Sequence, residues 1–127
     1  MRDQRKLSVV RLAISLAVAV YRLTASFPAS ERYGLVEQMR RAAVSVGSNI
    51  AEGAGRYGDR EFLRFVHIAY ASASELAFQL RMASELDFGA EGDRATVAES
   101  IDHLQRMLNR LSQSLKARRA SEHAVSA

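Results

Sequence analysis

The sequence predicts an all-α protein, an antiparallel up-down-up-down four-helix bundle. Three observations predict it. Long stretches place apolar residues every three or four positions, the chain breakers fall between those stretches, and no segment alternates as a strand would. Short connections between long helices make successive helices antiparallel neighbours.

The first helix is expected from about Leu7 to Ser26 and ends at Phe27-Pro28, because proline disfavours helical geometry in the residue before it. The second follows Ser30, a good N-cap, with Glu31 in the first turn where a negative charge suits the macrodipole. It fades at Gly53-Ala54-Gly55, and its apolar stripe is Val36, Met39, Ala43, Val46 and Ile50. The third opens at Asp59, the expected N-cap after Gly58, and runs to about Leu86 before Asp87-Phe88-Gly89 stops it. Phe62, Phe65, Val66, Ala69, Ala73, Leu76, Leu80 and Ala83 share one side of it. The fourth runs from near Asp93 to about Arg119, with a narrow seam of Val97, Ile101, Leu104, Leu108, Leu111 and Leu115. Residues 1–119 are therefore expected to form the bundle. Residues 120–127, small and polar without periodicity, are expected to be a disordered tail.

The first helix differs from the others because two apolar stripes run along it. Leu7, Val10, Ile14, Ala17 and Tyr21 lie on one side, and Val9, Leu12, Leu16, Val20 and Leu23 on the other. A corner helix of a four-helix bundle needs one buried face, so the second requires another cover. Large apolar side chains contribute about 1.5–3 kcal/mol each on burial, which makes a whole stripe costly to leave in water. The expected oligomer interface is Val9, Leu12, Leu16, Val20 and Leu23, together with Phe78 and Met82 on a lesser second face of the third helix. The alternative is a first helix sunk in the monomer, its back covered by loops and tail.

A length of 127 residues suits one domain, and 48% hydrophobic with 25% charged residues is a globular composition. The absence of cysteine excludes disulfides, thiolate metal sites and cysteine nucleophiles. Arg11 and Arg22 interrupt the apolar run of the first helix, so no membrane span or signal peptide is expected and a cytoplasmic location is. Net charge is +4 with a pI near 10.0, which permits nucleic acid as a partner without demanding it.

Candidate binding residues are arginines and lysines. Arg41, Ser45, Ser48, Asn49, Glu52 and Arg56 share one side of the second helix, with Arg40 nearby. That polar stripe, centred on Ser45, Asn49 and Glu52, reads as a nucleic-acid surface, as an inter-subunit network, or as a solvated face with Glu37–Arg41 and Glu52–Arg56 pairs. Around the next turn Arg56, Arg60 and Arg64 gather with Tyr57, which suits a nucleic-acid backbone or reads as solvated arginines near Glu61, and Lys116, Arg118 and Arg119 close the fourth helix. His67, His103 and His123 lie on separate segments, and no Glu-x-x-His pair offers a di-metal site. No catalytic residue, cofactor or metal is expected, and the chain reads as a non-enzyme.

Tyr21-Arg22-Leu23-Thr24, Phe27-Pro28, Glu31, Tyr33-Gly34-Leu35, Gln38-Met39-Arg40-Arg41-Ala42-Ala43, Ser45-Val46 and Asn49-Ile50-Ala51-Glu52-Gly53 carry a resemblance that Glu61-Phe62, Ile68-Ala69, Ser72 and Glu75-Leu76 continue. The chain resembles the four-helix-bundle proteins encoded in intervening sequences of bacterial 23S ribosomal RNA genes, from about Val10 to Leu115. The resemblance implies a left-handed up-down bundle assembled as a ring-like homopentamer. That family is also similar to the accessory variability determinant proteins of diversity-generating retroelements, basic pentameric barrels that bind nucleic acid and a reverse transcriptase. The partners so implied are further copies of the chain, RNA or DNA, and a reverse transcriptase or other protein; no membrane partner is expected. Two departures stand out. Gly47 occupies a position where the family usually carries a helix-kinking proline, and the tryptophan common early in the first helix is absent around Arg11-Leu12-Ala13. Two readings follow: an oligomer that binds nucleic acid through clustered arginines, or an oligomeric scaffold for a protein partner with no nucleic acid.

Overall fold

The computed structural model describes the backbone of residues 2–55 and 58–126 and the side chains of residues 4–55 and 58–122. It contains four helices, α1 (Arg2–Thr24), α2 (Leu35–Ala54), α3 (Asp59–Glu85) and α4 (Glu91–Ser126), with one 3-10 turn at Ala29–Glu31. Contacts between helices fix their directions. The start of α1 meets the end of α2, where Lys6 Nζ lies 3.5 Å from the Ala54 carbonyl, and the end of α1 meets the start of α2 through Arg40 and Thr24. Ser45 meets Ser72 across α2 and α3; Asp59 meets Arg118, and Ser74 meets Gln105, across α3 and α4. Every sequential pair is therefore antiparallel. α1 also packs on α4, while the diagonal pairs do not touch among the described residues.

The helix ends have local causes. Thr24 Oγ1 donates to the Val20 carbonyl at 2.8 Å, and Pro28 then begins the 3-10 turn in extended geometry. Ser30 lies inside that turn rather than capping α2. The N-cap is Gly34, and Glu31 acts from outside the helix by accepting the Leu35 N–H at 3.3 Å on Oε1. Asp59 is likewise the first residue of α3, not its cap, which is Gly58. At the end of α3 the Asp87 N–H bonds to the Ser84 carbonyl and the Phe88 N–H to the Ala83 carbonyl, with Asp87 left-handed at φ 55, the two bonds of a Schellman cap. Arg94 clasps this loop: its Nη1 donates to the carbonyls of Phe88 at 2.8 Å and Gly89 at 2.6 Å. The helix α4 continues to Ser126, past the expected end at Arg119. Ala117, Arg118, Arg119 and Ala120 are good helix formers and no breaker follows them, so the expected disordered tail is helical up to Ser126; Ala127 lies outside the described residues.

The expected stripes of α2, α3 and α4 are all buried, and apart from Phe65 they meet in one core. The expectation for α1 is reversed. Val9, Leu16, Val20 and Leu23 are buried in the bundle's own core and Leu12 is half-buried at its edge, so these residues are not available to another subunit. The stripe of Leu7, Ile14 and Tyr21 faces outward instead, with Val10 and Ala17 half-buried beside it. Tyr21 supplies a physical reason: facing inward, its hydroxyl would need a buried partner, whereas outside it meets solvent. Phe78 and Met82 are exposed, as the expected interface required. By length and hydropathy, Gln4–Thr24 is apolar enough to cross a membrane, which counting only between Arg11 and Arg22 underestimated; one edge of this helix lies in the core.

Two glycines explain how closely the helices approach. A Cβ on Gly53 would lie 2.6 Å from Phe65 Cβ, so the end of α2 sits on α3 only because a side chain is missing there. A Cβ on Gly47 would meet only Ala13 Cβ at an ordinary 3.6 Å, and α2 passes through this position without interruption. Gly53→Ala is therefore expected to destabilise by about 1–3 kcal/mol, as overpacking does. Gly47→Ala is expected to stabilise by about 0.5–1 kcal/mol, the helical advantage of alanine. Urea unfolding of the two variants checks the opposite signs, and equal shifts in one direction would contradict this packing.

Candidate nucleic-acid interface

The bundle separates the expected binding residues into two groups at opposite ends. α2, with 20 residues, spans about 30 Å at 1.5 Å per residue, and Arg40 and Arg41 lie near its start. Arg60, Arg64, Lys116, Arg118 and Arg119 lie at the other end, where α3 begins and α4 finishes. Arg56 and Tyr57 fall outside the described residues.

At the α3–α4 end, antiparallel packing adds cations that are distant in sequence. Lys6, on the first turns of α1, holds its Nζ 5.0 Å over the Phe62 ring. Arg60, Arg64 and Lys116 are exposed and Arg119 is half-buried. Two of the arginines are already engaged. Arg118 Nη2 reaches both carboxylate oxygens of Asp59, at 2.9 and 2.8 Å, and that carboxylate side chain is only 10% exposed. Arg64 pairs with Glu61 at 3.7 Å and stacks 4.7 Å over the Phe65 ring. Arg118 therefore anchors α4 to the start of α3, while Arg60 and Lys116 present charge outward. The opposite end carries both signs: Arg32, Arg40 and Arg41 lie around the start of α2, and near the α3–α4 loop Glu85 pairs with Arg81 at 3.6 Å and Asp87 with Arg94 at 3.3 Å.

Near the start of α2, Arg40 is half-buried and held in place. Its guanidinium lies 4.4 Å over the Tyr21 ring, Nε donates to Thr24 Oγ1 at 2.9 Å, and Nη2 donates to the Tyr21 carbonyl at 3.4 Å. Arg41 is exposed, with Glu37 at 4.0 Å as the sequence spacing expected. Arg32 stacks 5.4 Å over Tyr33, and these residues border an open groove. Arg32, Tyr33 and Tyr21 were missed as site residues. The adjacent Arg-Tyr pair was visible, but the fold was needed to bring it beside Arg40.

The polar stripe of α2 is divided: Ser45 and Asn49 are half-buried against the bundle, while Arg41 and Ser48 are exposed. Ser45 and Ser72 hydroxyls lie 2.9 Å apart, joining α2 to α3, and Asn49 Nδ2 donates to the Ser45 carbonyl at 2.8 Å and to its Oγ at 3.1 Å. Glu52 is exposed. His67 Nε2 lies 3.2 Å from Ser112 Oγ across α3 and α4.

A family model described as 23S rRNA-intervening sequence protein matches residues 5–110. The chain belongs to that family. A solved structure from the S23 ribosomal protein family of Bacteroides thetaiotaomicron, described as a protein of unknown function, superposes with a TM-score of 0.78. The match covers 86% of this chain and 98% of the other at 16% identity, and it shows a shared fold. No match was found among curated proteins. Neither the description of the 23S rRNA-intervening sequence family nor that of the solved structure names a catalytic activity.

Replacing Arg118 with alanine leaves the nearly buried Asp59 carboxylate without its ion-pair partner, so a loss of about 1–3 kcal/mol is expected. Amide hydrogen exchange should also quicken along α4 beyond Lys116. Unchanged exchange there would show that the pair does not anchor the helix.

Proposed function

We propose that the protein is a non-enzymatic homo-oligomer, pentameric as the family resemblance implies, that binds nucleic acid through its arginines. The observation that carries this reading is a pair of unlike apolar seams on helices that do not touch each other. Leu7, Ile14, Val18 and Tyr21 form the first on α1, and Ile68, Phe78 and Met82 the second on α3. A two-fold dimer would pair like with like. Two different seams on separate corners suit a head-to-tail contact, which closes into a ring when the rotation permits. If the bundle axes lie along the ring axis, every basic end falls on one rim, and Lys6, Arg60 and Lys116 repeat around it. Repetition of weak phosphate contacts raises avidity without new chemistry.

Light scattering should give a mass several times the 14.0 kDa subunit. Ile14→Asp and Phe78→Asp should each reduce it to that of a monomer, and a wild-type monomer would remove the assembly. Titration with structured RNA and with single-stranded DNA between about 50 and 200 mM salt should show affinity falling steeply as salt rises. Arg60→Ala and Lys116→Ala should each lower the salt slope by about one per subunit bound, whatever the sequence. Absence of binding at the lower salt would exclude nucleic acid.

A scaffold for a protein partner, a reverse transcriptase among the candidates, is the second reading. An open groove between α3 and α4 favours it, with Leu80, Ile101, Ala77, Ala95 and Ala98 among its lining and charged residues such as Arg81 and Asp102 beside them. It predicts a stable oligomer that binds no nucleic acid at any salt.

A further inference from the structure

The groove between the end of α1 and the start of α2 has a different character from the basic end. It is open and has a volume of about 720 Å³. Tyr21, Tyr33, Arg32, Arg40 and Arg41 line it, and the only carboxylate among its lining residues is Glu37. Three cations against one anion select a negatively charged ligand. The exposed ring of Tyr33 selects one that also has a flat face, whereas the Tyr21 ring is already covered by Arg40 and belongs to the α1 seam. Tyr33 is 80% exposed, unusual for an aromatic side chain on the surface of a small bundle, and among the described residues Arg32 alone lies over its ring. Arg40 is fixed between Tyr21 and Thr24, so it meets a ligand with its geometry already set.

We propose that this groove takes an unpaired base of a single-stranded nucleic acid, stacked on Tyr33, with the adjoining phosphates against Arg32 and Arg41. Paired bases hide their faces inside the duplex, whereas an unpaired strand can offer a face to tyrosine and its backbone to arginine. The inference rests on the nucleic-acid reading above and adds a base-sensing site to it, about 30 Å from the basic end by the length of α2.

The chain has four tyrosines and no tryptophan, so quenching by a base is read in tyrosine emission, and the part of it that Tyr33→Leu removes reports stacking in this groove. The probes are a short oligo-deoxyadenylate, its ribose counterpart and an abasic deoxyribose-phosphate oligomer of equal length. Both base-bearing strands should quench the emission and bind about five-fold or more tighter than the abasic one, as a single stacked base does. Comparison of the two tells whether RNA or DNA is preferred. Tyr33→Leu should abolish that difference and Tyr33→Phe should keep it, with circular dichroism unchanged in both. Equal binding of the abasic and base-bearing strands would overturn the groove while leaving the basic end standing. So would a base preference untouched in Tyr33→Leu, the result expected if a second copy of the chain covers the groove. Failure of all three strands to bind at low salt would overturn both.

Discussion

Four helices at the corners of a square each turn one face inward, and α1 brings two apolar faces to that arrangement. The core takes Val9, Ala13, Leu16, Val20 and Leu23 and leaves Leu7, Ile14, Val18 and Tyr21 in contact with water. Everything else in the molecule depends on how that choice is made. With this face inward, Ala13 lies under Gly47, Leu23 reaches the loop before α4, and Thr24 meets Arg40. Gly89 shows how tightly the loop fits: a Cβ there would lie 2.5 Å from Leu23 Cδ1, and its φ of 77 favours glycine independently. The Phe27 and Phe88 rings, 5.5 Å apart, complete that end of the core.

The stripes of α2, α3 and α4 are legible in the sequence because each of these helices has one dominant apolar side, the second face of α3 being short and broken, so periodicity decides which side is buried. In α1 the period is satisfied twice, and only tertiary partners choose between the two solutions. The same limit explains the helix boundaries. Ser30 has the chemistry of an N-cap, but Pro28 starts a 3-10 turn that includes it, and the helix begins after Gly34. The extension of α4 is illegible in the apolar pattern, because the periodicity ends where the helix passes beyond the core. A helix that leaves the core keeps its backbone bonds and loses only its stripe.

Sequence proximity grouped the arginines differently from the fold. Arg40 and Arg41 are neighbours of the polar stripe in sequence, yet Arg40 belongs with Tyr21 of α1, and Asn49 turns back to Ser45 within its own helix. Arg118 is 59 residues from the carboxylate it holds, a partnership that only antiparallel packing creates. The cations of one end were therefore legible as residue types and illegible as a surface. Which of them are engaged in structure and which project outward is a property of the assembled bundle.

The basic end bears on assembly in the proposed ring. Subunits arranged in parallel around an axis place like charges on one rim, and Arg60, Lys116 and their copies repel one another. The apolar seams must outweigh that repulsion, which is strongest at low salt because the screening length is then longest. A polyanion on the rim reverses the sign of the interaction, since each phosphate lies between cations of adjacent subunits. Added salt thus acts in opposite senses on the two processes: it screens the repulsion and favours the empty ring, and it competes for the phosphate contacts and disfavours the loaded one. Assembly and binding are then coupled through a single surface, with nucleic acid stabilising the ring most under the conditions in which the ring alone is weakest.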